Sequence, residues 1–129
     1  MWYLSTQTFF IMTKYGINLE LFNRLLEKVI LEKTNLFRDY EIHLEDNGRQ
    51  VWIFLTFYFD NQELAKQEEI YYNKLEELYG SLDEVPDEDY RYFDDYLRTE
   101  FLYVPIHKIL FKGMGLDKPK YRLIIEVVE

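Results

Sequence analysis

The chain contains no cysteine. That absence removes a disulfide framework, thiolate zinc sites and thiol catalysis together, and it suits a reducing compartment. Serine occurs only at positions 5 and 81, and neither lies in the strand–turn–helix elbow that a Ser-His-Asp nucleophile needs. His43 and His107 are the only histidines. Neither has a second histidine at metal-ligand spacing, so both read as surface or packing residues. Five glycines make no phosphate-binding loop, and Gly113-Met114-Gly115 is a lone pair. Asp83, Asp87 and Asp89 could offer oxygens to calcium, but they lack the spacing, the glycine and the closing glutamate of an EF-hand. No catalytic residue, metal or cofactor is therefore expected.

Long apolar runs are also missing. The most apolar stretch, Gln50 to Asp60, is too short to cross a membrane as a helix. Residues 2–12 are interrupted by Ser5, Thr6, Gln7 and Thr8. No basic segment precedes them and no small-residue cleavage site follows, so a signal peptide is not expected and the chain is expected in the cytoplasm. Bases are scarce: 15 against 24 acids, a formal charge of −9 over 129 residues. Such a chain repels phosphate backbones and anionic lipid, which argues against nucleic acid and membrane and favours a basic protein partner.

What is abundant is aromatic. Twelve Tyr and ten Phe exceed what a core alone requires, and Tyr is enriched at interfaces because its ring is apolar and its tip can bond. A tyrosine-rich core with wet hydroxyls is the plainer account of the same count. The length suits a single domain, 1–129, with a core of its own.

Gln50 to Asp60 is β-branched and aromatic, and its two sides differ. Val51, Ile53, Leu55, Phe57 and Phe59 form a dry face, while Trp52, Phe54, Thr56, Tyr58 and Asp60 form a partly wet one. This predicts a strand near the middle of a sheet. Asn47-Gly48 predicts a two-residue type I′ hairpin that sets Leu44 opposite Val51 and His43 opposite Trp52. The wet face around Trp52, Phe54 and Tyr58, with His43 and Glu41 as polar handles, is a candidate small-molecule surface.

Trp2, Leu4, Thr6, Thr8, Phe10 and Met12 alternate weakly and suggest a strand, although Phe9 to Met12 would also suit a packed helix. Asn18 as N-cap predicts a helix over about 19–33. Asp60 with Glu63, closed by Gly80, predicts another over about 61–79 with Leu64, Tyr71, Leu75 and Leu78 on one face. Pro86 predicts a third, with a buried stripe of Tyr90, Phe93, Leu97, Phe101 and Val104, ended by Pro105. Strands are expected at 106–112 and from Tyr121 onward. The expected fold is α+β: a mainly antiparallel sheet (hairpin 40–46/50–59 plus C-terminal strands) with about three helices packed on one face.

One feature points to function. Residues 83–100 hold eight acids and two bases, so −6 of the −9 lies in 18 residues. Asp87–Arg91 and Asp94–Arg98 are i,i+4 pairs in the favourable order. On the predicted helix, Glu88, Tyr92, Asp95, Tyr96 and Tyr103 fall away from the apolar stripe. The bland account is a solvated helix. The functional account is a docking face whose carboxylates steer a basic partner and whose tyrosines give rigid contact area. That implies a non-enzymatic inhibitor, an immunity protein or anti-defence inhibitor, that masks a basic nucleic-acid-processing protein such as a toxin or nuclease. The alternative is a self-associating module, a homodimer through the same rings and the edge strands.

Overall fold

The computed structural model describes residues 5–31 and 35–128. Three strands form one sheet in the order β1 (Phe37–Asp46), β2 (Val51–Phe59), β3 (Tyr121–Val128). The long apolar strand is central, as its pattern implies. β1 runs antiparallel to β2, but β3 runs parallel to it, so the sheet is mixed rather than mainly antiparallel. Alternation along β3 reads the same in either direction. The deciding element is the helical connection after β2, long enough for a parallel return.

The hairpin keeps its faces but not its expected register. Leu44 pairs with Ile53 and His43 with Phe54, two residues from the type I′ pairing. Asn47 does not adopt positive φ; among the described residues only glycines do. Its Oδ1 instead accepts from the N–H groups of Arg49 (3.0 Å) and Gln50 (2.7 Å), which builds a four-residue loop. A shift of two leaves every side chain on its own side of the sheet, so the dry and wet faces survive the change.

The strand expected over residues 2–12 is not found where the chain is described, from Ser5 onward. Trp2 and Leu4 lie outside the described residues, and α1 (Thr6–Tyr15) is a helix. Ser5 caps it, its Oγ accepting from the Thr8 N–H at 3.1 Å, and Gly16 at φ 67° ends it. α1 lies along the outer edge of β1. The Leu44 N–H faces away from β2 and donates to Thr8 Oγ1 at 3.0 Å, so a threonine hydroxyl closes a sheet edge that would otherwise offer an open donor.

The far end of α1 is fastened to the hairpin through Asp46. Its Oδ2 accepts from Tyr15 Oη (2.6 Å) and Lys14 Nζ (3.2 Å), and its Oδ1 from the Gly48 N–H (2.9 Å). The Tyr15 bond first, then the Gly48 and Lys14 bonds, hold this carboxyl down at about 2. A carboxylate favoured by the fold contributes stability above its unfolded value near 4, and that contribution fades as pH falls toward 2. Asp46→Asn should therefore flatten the acid limb of the stability curve between pH 4 and 2, read by thermal unfolding at several pH values. An unchanged acid limb would contradict the assignment.

α2 (Leu19–Leu26) begins at Asn18, whose Oδ1 accepts from the Leu21 N–H at 3.0 Å, and widens into a π-helical turn over Glu27–Leu31. α3 (Asn61–Tyr79) has the expected bounds. Half of its expected capping box is made. Asp60 Oδ1 accepts from the Glu63 N–H (3.1 Å), but the Asp60 N–H turns to the Leu36 carbonyl (2.8 Å). Leu64, Tyr71 and Leu75 are half-buried, whereas Leu78 is 77% exposed and leaves the predicted face.

The largest departure is C-terminal. Residues 106–112 are helical, not a strand, and Pro105 does not end the helix. A continuous helix runs from α4 (Phe93–Leu97) through a π segment (Arg98–Tyr103), α5 (Val104–Lys108) and a second π segment (Ile109–Gly113). The Val104 N–H reaches back five residues to the Thr99 carbonyl. The proline's missing donor thus falls at the seam where π spacing returns to α spacing, and the ring is absorbed without a break. Gly115 at φ 68° follows the helix end. Counting this run once, the described residues hold four helices.

The core joins the dry face of β2 to Phe22, Leu26 and Ile30 of α2 and its extension, and to Leu97, Leu102, Ile106 and Leu110 of the C-terminal helix. α3 contributes only half-buried residues, so the helices do not share one face equally. Among the described residues no helix is long and apolar enough to cross a membrane.

Candidate protein-docking site

The strap from Leu82 to Tyr92 and the first turn of α4 carry the acidic cluster. The helix predicted from Pro86 does not form there. Pro86 to Tyr90 is a turn, in which the Pro86 carbonyl accepts from the N–H groups of Asp89 (2.9 Å) and Tyr90 (3.0 Å). Tyr92 is extended, with φ −65° and ψ 145°. Two tyrosines of α3 hold the strap open. Tyr71 Oη donates to the Arg91 carbonyl at 2.7 Å, and the Phe93 N–H donates to Tyr72 Oη at 3.1 Å. These side-chain bonds satisfy backbone groups that a helix would have used, so tertiary contacts override a good local helix start.

This geometry separates the five predicted docking residues. Glu88, Tyr92 and Asp95 face solvent, and Tyr92 is 65% exposed. Tyr96 does not stand free. Its ring stacks on Tyr71 at 4.8 Å, meets Phe101 edge-on at 5.9 Å and lies under the Arg91 guanidinium at 5.6 Å. Tyr103 packs against the His107 ring at 6.1 Å, and its carbonyl accepts from His107 Nδ1 at 2.8 Å. The predicted pair Asp94–Arg98 forms at 3.0 Å. Arg91 pairs with Glu100 at 3.3 Å instead of Asp87, because residues 87–91 are not helical.

The remaining carboxylates are exposed and open. Among the described residues, Asp83, Glu84, Asp87, Glu88 and Asp95 form no ion pair. Asp89 accepts a long hydrogen bond, 3.4 Å, from Tyr79 Oη. Desolvation, more than any neighbouring charge, holds the Tyr71 and Tyr90 phenols above their usual range, so both remain neutral donors at physiological pH. Tyr90 in turn meets Tyr92 edge-on at 5.5 Å. The acidic run, legible as a charge excess, becomes a strap of unneutralised carboxylates around one projecting tyrosine.

Two other places bear on chemistry, one of them new in the structure and the other the wet sheet face. Thr8 Oγ1, His43 and Glu45 form a line: Oγ1 to Nδ1 at 3.4 Å, and Nε2 to Glu45 Oε1 at 3.2 Å. The order resembles nucleophile, base and orienter. Thr8 is fully buried, however, and its oxygen already accepts from Ser5 Oγ and the Leu44 N–H, so a substrate carbonyl has no approach to it. The line serves the sheet edge. On the wet face of β2, the Arg122 guanidinium covers Trp52 at 5.4 Å, and Trp52 Nε1 is buried with no hydrogen-bond partner among the described residues. Among the described residues no three of Asp, Glu and His gather as a metal site, and Asp83, Asp87 and Asp89 are not brought together as one. Comparisons with family models, with curated proteins and with solved structures find no match to this chain.

Proposed function

We propose that the protein is a non-enzymatic acidic inhibitor that docks through its strap onto a basic, nucleic-acid-processing protein and masks it, as an immunity protein masks a toxin or an anti-defence inhibitor masks a nuclease. The observation that carries this reading is the set of five exposed carboxylates that form no ion pair among the described residues, on the same strap and first turn of α4 as the projecting ring of Tyr92. With no ionic partner among the described residues, these charges keep their field available for a cationic surface, where it steers encounter and suppresses acidic competitors. Carboxylates spaced along a strap occupy the place that phosphates take on such an enzyme.

Recovery of partners from a lysate at low ionic strength tests it. The captured protein should be basic and should leave the resin as salt rises. The triple variant Asp87→Lys, Glu88→Lys, Asp95→Lys should weaken binding by about tenfold or more, mainly through a slower association rate. Partner recovery indifferent to salt and to the three reversals would end the docking reading.

One observation favours self-association instead. Phe9 and Phe10 on α1 are 56% and 72% exposed, and β3 pairs on one side only among the described strands. Sedimentation of the free protein at two concentrations separates the readings, since a dimer dissolved by Phe10→Asp would favour this second one.

A further inference from the structure

Between α3 and α4 lies a hollow of about 280 Å³. Its inner end is formed by the buried side chains Phe59, Phe93 and Leu97. Tyr72 lines it half-buried, and the exposed Glu68, Tyr92 and Asp94 stand at its mouth. The lining is held in place: Tyr72 Oη accepts from the Phe93 N–H at 3.1 Å, and the Phe93 ring packs on Tyr71 at 5.5 Å. Glu68 forms no ion pair among the described residues, while Asp94 spends Oδ2 on Arg98 at 3.0 Å and keeps its second oxygen.

We propose that this hollow is the socket for one arginine side chain of the basic partner. The inference rests on the docking reading above and names what that partner must present. The volume falls below the roughly 300–1,000 Å³ of small-molecule pockets, so it matches a single side chain rather than a whole ligand. Rings beside two carboxylates suit a guanidinium, which is planar, weakly hydrated, stacks on aromatic faces and forks onto carboxylate oxygens. An ammonium keeps its water more tightly and gains less from the same walls. Tyrosine–arginine pairs of this kind are the contacts that dominate interface energies.

The test uses the full chain, labelled with nitrogen-15, titrated with an acetyl-Gly-Arg-Gly-amide tripeptide and with its neutral citrulline counterpart. The arginine peptide should shift the amides of Tyr72, Tyr92 and Phe93, and the citrulline peptide should not. Glu68→Gln and Tyr92→Ala should each weaken the arginine response about five- to tenfold. Both residues are exposed, so the variants should unfold at the wild-type temperature, which confirms that lost binding is not lost structure. Equal shifts from both peptides, or none, would overturn the socket. Shifts confined to Asp83–Asp89 and unmoved by either variant would also overturn it while leaving the acidic strap in force. Failure of the strap is read separately, from partner recovery by the triple reversal.

Discussion

Phe57→Ala is expected to remove about 3–5 kcal/mol of folding stability, the usual cost of deleting a fully buried ring. Phe57 is 0% exposed at the middle of the central strand. It lies between Tyr40 of β1 and Val127 of β3 in register, and its ring meets Phe37 at 5.2 Å and Tyr40 at 5.9 Å. Domains of this size hold about 5–15 kcal/mol in total, so this one change could consume half of it. The unfolding temperature should fall by roughly 10–20 °C. The neighbour provides the control. Tyr58 points to the half-exposed face of the same strand, and Tyr58→Ala should cost far less. Equal losses at 57 and 58, by urea or thermal unfolding, would mean that β2 has no dry side.

That contrast between adjacent residues was legible in the sequence because strand alternation is a local property. So were the bounds of α3, where Asp60 and Gly80 act on the backbone within one turn of themselves. The failures share a cause. Asn47 could serve a type I′ turn or an Asx turn, and the dipeptide alone does not separate them. Pro105 normally stops a helix, and only the π spacing ahead of it makes room. α1 carries both an alternating and a helical pattern. The contact that decides for the helix, Thr8 against Leu44, spans 36 residues. At the candidate site the charge excess was readable, whereas Tyr92 is exposed on an extended strap and not on the predicted helix, and the stacking of Tyr96 on Tyr71 depends on how α3 and α4 meet. Glu68 was missed for the same reason. Its place beside Tyr92 follows from a helix–helix contact, and no spacing in the sequence encodes that.

Thr8→Val should cost about 1–3 kcal/mol, although the two side chains have nearly the same shape. Thr8 is fully buried, and its hydroxyl accepts from Ser5 Oγ at 2.9 Å and from the Leu44 N–H at 3.0 Å. Ser5 is half-exposed and can turn to water, so its loss is small. The Leu44 amide has no such outlet, because Leu44 is itself 0% exposed and its N–H faces away from β2. Valine would leave that donor unpaired in an apolar setting, which is the expensive half of breaking a hydrogen bond. Thr8→Ser keeps the oxygen and should recover most of the difference. Hydrogen exchange gives the sharper reading, since the Leu44 amide should exchange much faster in the valine variant while amides of β2 change little. The effect should extend beyond one amide. An edge strand with an open donor is a template for a second strand, and among the described residues α1 is held over β1 at two polar points, Thr8 and Asp46. With Thr8 gone, the polar fastening left among the described residues is the Asp46 end of α1, so the valine variant should also associate at concentrations where the wild type does not. A valine variant as stable and as monomeric as the wild type, with Leu44 still protected, would mean that the edge is closed by apolar packing of α1 and that the hydroxyl is incidental.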